Sequence, residues 1–131
     1  MLLSLLLSAG PAAALEPFAD AVARGAGESH FYQRCAALYQ AAVELRGTLG
    51  LTPDVVGQYE RAVQLSLIEA ENRLVFTGQG GSIAEIREQI RQGVAALVPD
   101  FRAAYERSPD AVPDELALDI DFCQTHVGSL E

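Results

Sequence analysis

Hydrophobic residues recur every three or four positions through most of the chain, which is the spacing of one face of an α-helix. This spacing predicts four helices, over residues about 29–46, 53–77, 83–107 and 112–127. No segment alternates apolar and polar residues for long enough to make a strand. Four amphipathic helices with short connections favour an all-α fold, an antiparallel (up-down-up-down) four-helix bundle. The apolar stripes of the first and last helices are Phe31, Cys35, Leu38, Ala42 and Leu45, and Val112, Leu116, Ile120, Cys123 and Val127.

Residues with capping side chains stand where the first three predicted helices begin. Ser29 is a candidate N-cap of the first, and Thr52 followed by Pro53 is typical of the start of the second. Ser82 and Glu85 have the spacing of a capping box, in which each side chain satisfies a free backbone N–H at the other residue. This is the clearest helix start in the sequence.

Glycine and proline predict where the helices end or bend. Gly47 and Gly128 are candidate C-terminal residues of the first and last helices. Pro99 lacks a backbone donor and clashes with the preceding turn, so it predicts a kink or a break in the third helix near Val98.

The first 14 residues differ from the rest of the chain. They contain a short leucine-rich run and no charge, followed by Ala12-Ala13-Ala14, so they resemble the hydrophobic region and cleavage site of a signal peptide. A basic segment before the run is missing, and the run is too short to span a bilayer. We expect cleavage near Ala14 and export to the periplasm or the extracellular space, with no transmembrane segment in the mature chain. Residues 15–28 then form a flexible leader with at most one short helical turn near Phe18, and residues 29–131 form a single helical domain.

The net charge of the chain argues against two classes of binding partner. The chain has 9 basic residues, all arginine, and 18 acids, a formal charge of −9. This charge argues against nucleic acid and anionic membranes, since phosphate repels it. Six acids lie between Ser108 and Glu131 without a base. Asp119 and Asp121 point about 200° apart on a helix, which suits no single cation site, so we interpret these acids as a solvated surface.

The two cysteines constrain both compartment and topology. Cys35 and Cys123 lie on the apolar stripes of the first and last helices. In an up-down-up-down bundle the start of the first helix lies beside the end of the last, which places the two thiols at similar heights. Because an exported protein meets an oxidising environment, we expect a disulfide between Cys35 and Cys123.

The two histidines suggest a possible metal site at the end of the bundle where the cysteines lie. His30 and His126 lie near the cysteines in sequence. With reduced thiols the four side chains could form a Cys2His2 zinc set, although His30 and Cys35, five residues apart, do not share a helix face, and a disulfide would consume both thiolates. With the disulfide formed, His30 and His126 remain weak candidates for a metal site or a pH-sensing pair.

Leu118 and Phe122 do not fit a simple solvated face. They are four residues apart and lie almost opposite the apolar stripe of the last helix. Either residues 15–28 cover them or they form an exposed apolar patch, which often marks a partner or dimer contact.

The chain carries no motif for catalysis. It has no lysine for a P-loop, no C-x-x-C-H haem attachment, no E-x-x-H pair for a di-iron site and no strand–turn–helix nucleophile elbow. We therefore expect no enzyme and no cofactor, but a small exported helical protein that acts through protein contacts, with Leu118 and Phe122 as candidate contact residues. The alternative is a module that binds a small apolar ligand or a metal ion between helices, where four tyrosines could place hydroxyl groups: Tyr32, Tyr39, Tyr59 and Tyr105.

Overall fold

The computed structural model describes residues 15–78, 81–109 and 111–128, and all regular structure in these ranges is helical. Four of the six helices match the four predicted ones. Residues 1–14, on which the predicted signal peptide falls, lie outside the described residues. The helices are α1 (Phe18–Ala23), α2 (Glu28–Glu44), α3 (Arg46–Leu49), α4 (Pro53–Thr77), α5 (Ile83–Arg107) and α6 (Ala117–His126).

Two of the predicted helix starts are confirmed. The Thr52 hydroxyl accepts a hydrogen bond from the Val55 backbone N–H at 3.3 Å, with Pro53 in the first helical position of α4. At the start of α5, Ser82 and Glu85 form the capping box, since each side chain accepts from the other's backbone N–H at 3.2 and 3.1 Å.

The prediction for Ser29 is wrong. α2 begins at Glu28, with Gly27 as its N-cap, two residues before the predicted cap, and with no side-chain cap. Ser29 is buried and donates instead to the backbone carbonyl of Ala70 at 2.8 Å, which joins α2 to α4. The Ser29 hydroxyl therefore forms a hydrogen bond between two helices and does not cap α2.

The end of the first predicted helix also differs. α2 stops at Glu44, and Gly47 lies inside the short helix α3 instead of ending a longer one. Gly50 ends α3 with a φ of +67°, the left-handed conformation that glycine adopts without a steric cost.

α5 is not divided at Pro99, because the helix runs unbroken from Ile83 to Arg107. Pro99 and Ala95, whose carbonyl loses its helical partner to the proline, are both exposed. Water can therefore reach that carbonyl, so the helix continues past the proline.

The last helix begins later than predicted. Val112 is exposed and outside it, and Pro113 has an extended backbone. A single 3-10 turn (Asp114–Leu116) then leads into α6 at Ala117. The extended conformation at Pro113 delays the start, although Leu116, Cys123 and Val127 of the predicted stripe are buried.

α2 is the centre of the fold, since it packs against α4, α5 and α6. Its residues are buried on nearly every side, including both Cys35 and Arg34. α5 approaches α2 closely at Gly93, where an added Cβ would collide with the side chain of Gln33. The short leader helix α1 packs on α6 and buries Ala21, and Leu15 is also part of the core.

Candidate ligand pocket

The predicted disulfide is present. The sulfur atoms of Cys35 and Cys123 are bonded, with their Cα atoms 5.5 Å apart and both side chains buried. The bond closes a loop whose ends are 88 residues apart and holds α6 onto α2. It also uses both thiolates, so the Cys2His2 zinc set does not form. Among the described residues, no group of three or more histidine, cysteine or acidic side chains is placed to hold a metal ion.

An ion pair that the sequence pattern did not reveal lies beside the disulfide. Arg34 donates from Nε and Nη2 to the two carboxylate oxygens of Asp119 at 2.7 and 2.8 Å, and both side chains are fully buried. The guanidinium carbon also lies 5.5 Å from the ring centre of Phe101 and 5.9 Å from that of Phe18. The interpretation of Asp119 as a solvated acid is therefore wrong, and Asp119 ties α6 to α2 one helical turn before the disulfide.

Phe122 and Leu118 have different environments. The ring of Phe122 packs against Phe18 of the leader at 5.7 Å and against Phe31 at 5.8 Å, measured between ring centres. The leader therefore covers Phe122, which is one of the two possibilities left open by the sequence. Leu118 is not covered, and 54% of its surface is exposed.

The two histidines border the same aromatic cluster, His30 through Phe31 and His126 through Phe122. His30 also lies 3.9 Å from a carboxylate oxygen of Glu16. Burial lowers the pKa of His30 below its ordinary value, and the guanidinium groups of Arg24 and Arg34 lower it further, while nearby carboxylates oppose the change. The surroundings of His30 favour the neutral ring.

Three of the four tyrosines meet in one pocket of about 420 Å³ between α2, α4, α5 and α6. Tyr39 and Tyr59 pack with their ring centres 5.1 Å apart, and the Tyr105 hydroxyl donates to the backbone carbonyl of Leu38 at 3.3 Å. Tyr32 lies elsewhere, where it contacts Phe122 and the guanidinium of Arg73.

No charged residue is among the described residues that line this tyrosine pocket. Its remaining walls are aliphatic side chains, alanines, prolines and the amides Gln58 and Gln124. Burial raises the pKa of the Tyr105 phenol well above its ordinary value, and the neighbouring Tyr59 and Tyr39 add to that effect. The phenol is therefore neutral at physiological pH, and the described residues of the pocket offer aromatic faces and hydroxyl groups without ionised groups.

A second concave surface, of about 850 Å³, runs between α4 and α5. Its apolar floor is bordered by charged residues from both helices, including Glu71, Arg87 and Arg91. This α4–α5 groove has a mixed ionic rim, unlike the tyrosine pocket.

No family model, curated protein or solved structure matches the chain. The candidate site therefore rests on its geometry. Within the described ranges, no helix is both long enough and apolar enough to cross a membrane.

Proposed function

We propose that the protein is an exported, non-enzymatic binding protein that holds a small uncharged molecule with an aromatic or apolar body in the tyrosine pocket. The observation that carries this proposal is the absence of charge from the described lining of the pocket, in a chain with 9 basic and 18 acidic residues. With about one residue in five charged, a lining without any charge marks a surface suited to an uncharged occupant.

The size and chemistry of the pocket support this class of ligand. Its volume of about 420 Å³ lies within the range of about 300–1,000 Å³ that is usual for small-molecule sites. The rings of Tyr39 and Tyr59 provide faces for stacking, while amide and hydroxyl groups provide a few hydrogen bonds that orient the ligand. A bound anion would lose its hydration without gaining an ion pair from the described residues of the lining.

The lining also supports a binding role over catalysis. Its described residues include no histidine, cysteine or carboxylate, which are the usual groups for proton transfer or covalent catalysis near neutral pH. The buried disulfide is compatible with an oxidising compartment, so the signal-like segment 1–14 and the disulfide together support export to the periplasm or the extracellular space.

We propose the up-down-up-down bundle as the topology of the four long helices, and the contacts around α2 support its up-down-up part, formed by α2, α4 and α5. Near the start of α2, Ser29 contacts Ala70 of α4, and further along α2, Tyr39 contacts Tyr59 of α4. Because the contacted residue number falls along α4 as it rises along α2, the two helices are antiparallel. Gln33 of α2 lies near Gly93 of α5, and further along α2, Glu44 binds Arg102 of α5. Because the contacted residue number rises along both helices, α2 and α5 are parallel.

Protein contacts are the second candidate function. Leu118 favours it, because this leucine of α6 is 54% exposed. Phe122 would join such a contact only if the leader moved away, since Phe18 packs on its ring.

A matched pair of fluorescent probes tests the proposed pocket. N-phenyl-1-naphthylamine is neutral, and 1-anilinonaphthalene-8-sulfonate has nearly the same skeleton with one negative charge. Titration of the folded, oxidised protein should show saturable binding of the neutral probe and affinity for the anion at least about tenfold lower, because no described residue of the pocket supplies a counter-charge for the sulfonate. Equal affinity for the two probes, or no saturable binding of the neutral one, would contradict the proposal.

Two alanine-to-tryptophan variants locate the bound probe. Ala111 borders the tyrosine pocket and Ala95 borders the α4–α5 groove, and both are exposed, so neither variant should prevent folding. Ala111→Trp should weaken binding of the neutral probe at least about tenfold by filling the pocket. Ala95→Trp should leave it unchanged. The reverse pattern would place the probe in the groove and refute the tyrosine pocket as the site.

A further inference from the structure

We propose that the ligand of the tyrosine pocket is a neutral phenol, whose hydroxyl group binds between Tyr59 and Tyr105. This inference rests on the proposed function, because it names the class of molecule that the same pocket takes. Its basis is the difference between a pocket hydroxyl whose proton is already used within the chain and one that is free.

The Tyr105 hydroxyl already uses its proton. It lies 3.3 Å from the backbone carbonyl oxygen of Leu38, and both residues line the pocket. A carbonyl oxygen has no proton to give, so Tyr105 is the donor in this bond. The oxygen of a phenol keeps lone pairs after its single O–H has been used, so it can still accept. A ligand therefore binds Tyr105 without breaking an internal hydrogen bond only if the ligand donates.

The Tyr59 hydroxyl, in contrast, is free. No described residue forms a hydrogen bond with it, and the side-chain atoms that are buried without a partner in the described structure belong to arginines. Since Tyr59 is only half-buried and its hydroxyl is not enclosed, that group is open to a ligand in the pocket that it lines. It can donate to the ligand as well as accept from it.

The two hydroxyl groups border the same space from two helices. Tyr59 belongs to α4 and Tyr105 to α5, and both line the pocket. Burial is the main cause of the raised pKa of Tyr105, and the electrostatic effect of Tyr59 comes next. Because such an effect weakens with distance, it supports a short separation between the two phenol groups. One small group of a ligand can therefore contact both.

A hydroxyl is the group that satisfies both tyrosines at once. It accepts the proton of Tyr59 and donates its own to Tyr105, which donates to Leu38, so every O–H in the chain has an acceptor. A carbonyl or an ether accepts from Tyr59 but has nothing to donate to Tyr105. The aromatic body of a phenol suits the paired rings of Tyr39 and Tyr59, and its neutral form suits the uncharged described lining.

Two uncharged naphthalenes test this inference. 2-Naphthol and 2-methoxynaphthalene share one aromatic skeleton, and a methyl group replaces the hydroxyl proton in the second. Isothermal titration calorimetry of the folded, oxidised protein at pH 7 should show saturable binding of both, with 2-naphthol bound about tenfold more tightly, because the ether cannot donate to Tyr105.

Three tyrosine-to-phenylalanine variants separate the roles of the hydroxyl groups. Each keeps its aromatic ring, so circular dichroism should show that all three fold. Tyr105→Phe should weaken only 2-naphthol and so abolish the preference between the two compounds. Tyr59→Phe should weaken both compounds and keep the preference, because both oxygens accept from Tyr59. Tyr32→Phe, outside the pocket, should change neither affinity.

The outcomes distinguish this inference from the proposed function. Equal affinity of the wild type for the two naphthalenes, or a preference that persists in Tyr105→Phe, would overturn the assignment of a phenol while the pocket still bound neutral molecules. If neither naphthalene binds and N-phenyl-1-naphthylamine does not bind either, the proposed function fails, and the assignment of a phenol fails with it.

Discussion

Replacing Asp119 by asparagine should destabilise the protein far more than any other substitution of one acid on α6. The substitution keeps the shape of the side chain and removes its charge, which leaves the Arg34 guanidinium buried without a counter-ion. Arg34 and Asp119 are both fully buried and joined by two hydrogen bonds. The third nitrogen of the guanidinium, Nη1, has no hydrogen-bond partner even with Asp119 in place. No alternative carboxylate is therefore bonded to this guanidinium.

The magnitude follows from the burial of the pair. Breaking a buried ion pair by removal of one partner costs about 3–5 kcal/mol, because a desolvated charge is left uncompensated. The whole free energy of unfolding of a domain is about 5–15 kcal/mol. Asp119→Asn should therefore remove a large fraction of the stability.

Urea unfolding followed by circular dichroism, with the disulfide intact, measures this cost. Asp121→Asn is the matched control, because Asp121 is an exposed acid on the same helix and its replacement should change the free energy of unfolding by less than about 0.5 kcal/mol. The double variant Arg34→Met/Asp119→Leu, which removes both charges, should recover much of the loss. If Asp119→Asn and Asp121→Asn unfold at the same urea concentration, the buried pair does not exist as described.

Two further predictions concern the disulfide and His30. Replacing Cys35 and Cys123 together by alanine should lower the free energy of unfolding by about 4–5 kcal/mol, because the bond closes a long loop in the unfolded chain. Urea unfolding measures this loss. A loss below about 1 kcal/mol would contradict the entropic argument. The native pKa of His30 lies below its unfolded value near 6.5, so the unfolded chain takes up a proton first as the pH falls. Stability should therefore fall from about pH 7 toward the native pKa, and His30→Gln should reduce this slope in urea unfolding at several pH values; an unchanged slope would refute the assignment.

The helices could be predicted because hydrophobic spacing and capping residues are local features of the sequence. The disulfide could be predicted from the helical register of the cysteines together with the expectation of export. Apolar spacing gave α4 and α5 with their bounds, and the capping residues Thr52 and Ser82 marked their starts. The pairing of Cys35 with Cys123 needed only a helical register and the expectation of an oxidising environment. Ser29 misled the prediction because capping and interhelical hydrogen bonding call for the same side chain.

The buried ion pair could not be predicted from composition, because acids are usually solvated. One signal was available for Asp119: it lies three residues after Leu116 and four before Cys123, so it shares their buried face. Arg34 carried the same signal, since it lies three residues after Phe31 and four before Leu38, which are both on the apolar stripe of the first helix. Its burial depends on α2 being surrounded by other helices, which the pattern of a single helix does not reveal.

The tyrosine pocket was predictable only in part. Four tyrosines beside apolar stripes suggested a site, but helical spacing alone does not show which of them converge. Tyr32 and Tyr39 share one face of α2 and differ by seven residues, about 10 Å along the helix, so only Tyr39 reaches the pocket. The described lining, which is uncharged, depends on residues brought together from five helices and the segment before α6.

Fluorine NMR of the protein labelled with 3-fluorotyrosine tests the central claim most directly. The chain has four tyrosines and should give four resonances. Addition of the neutral probe N-phenyl-1-naphthylamine should shift the resonances of Tyr39, Tyr59 and Tyr105, which line the pocket, and leave that of Tyr32 in place. A shift confined to Tyr32, or no shift of the three pocket resonances at saturating probe, would contradict the proposed site.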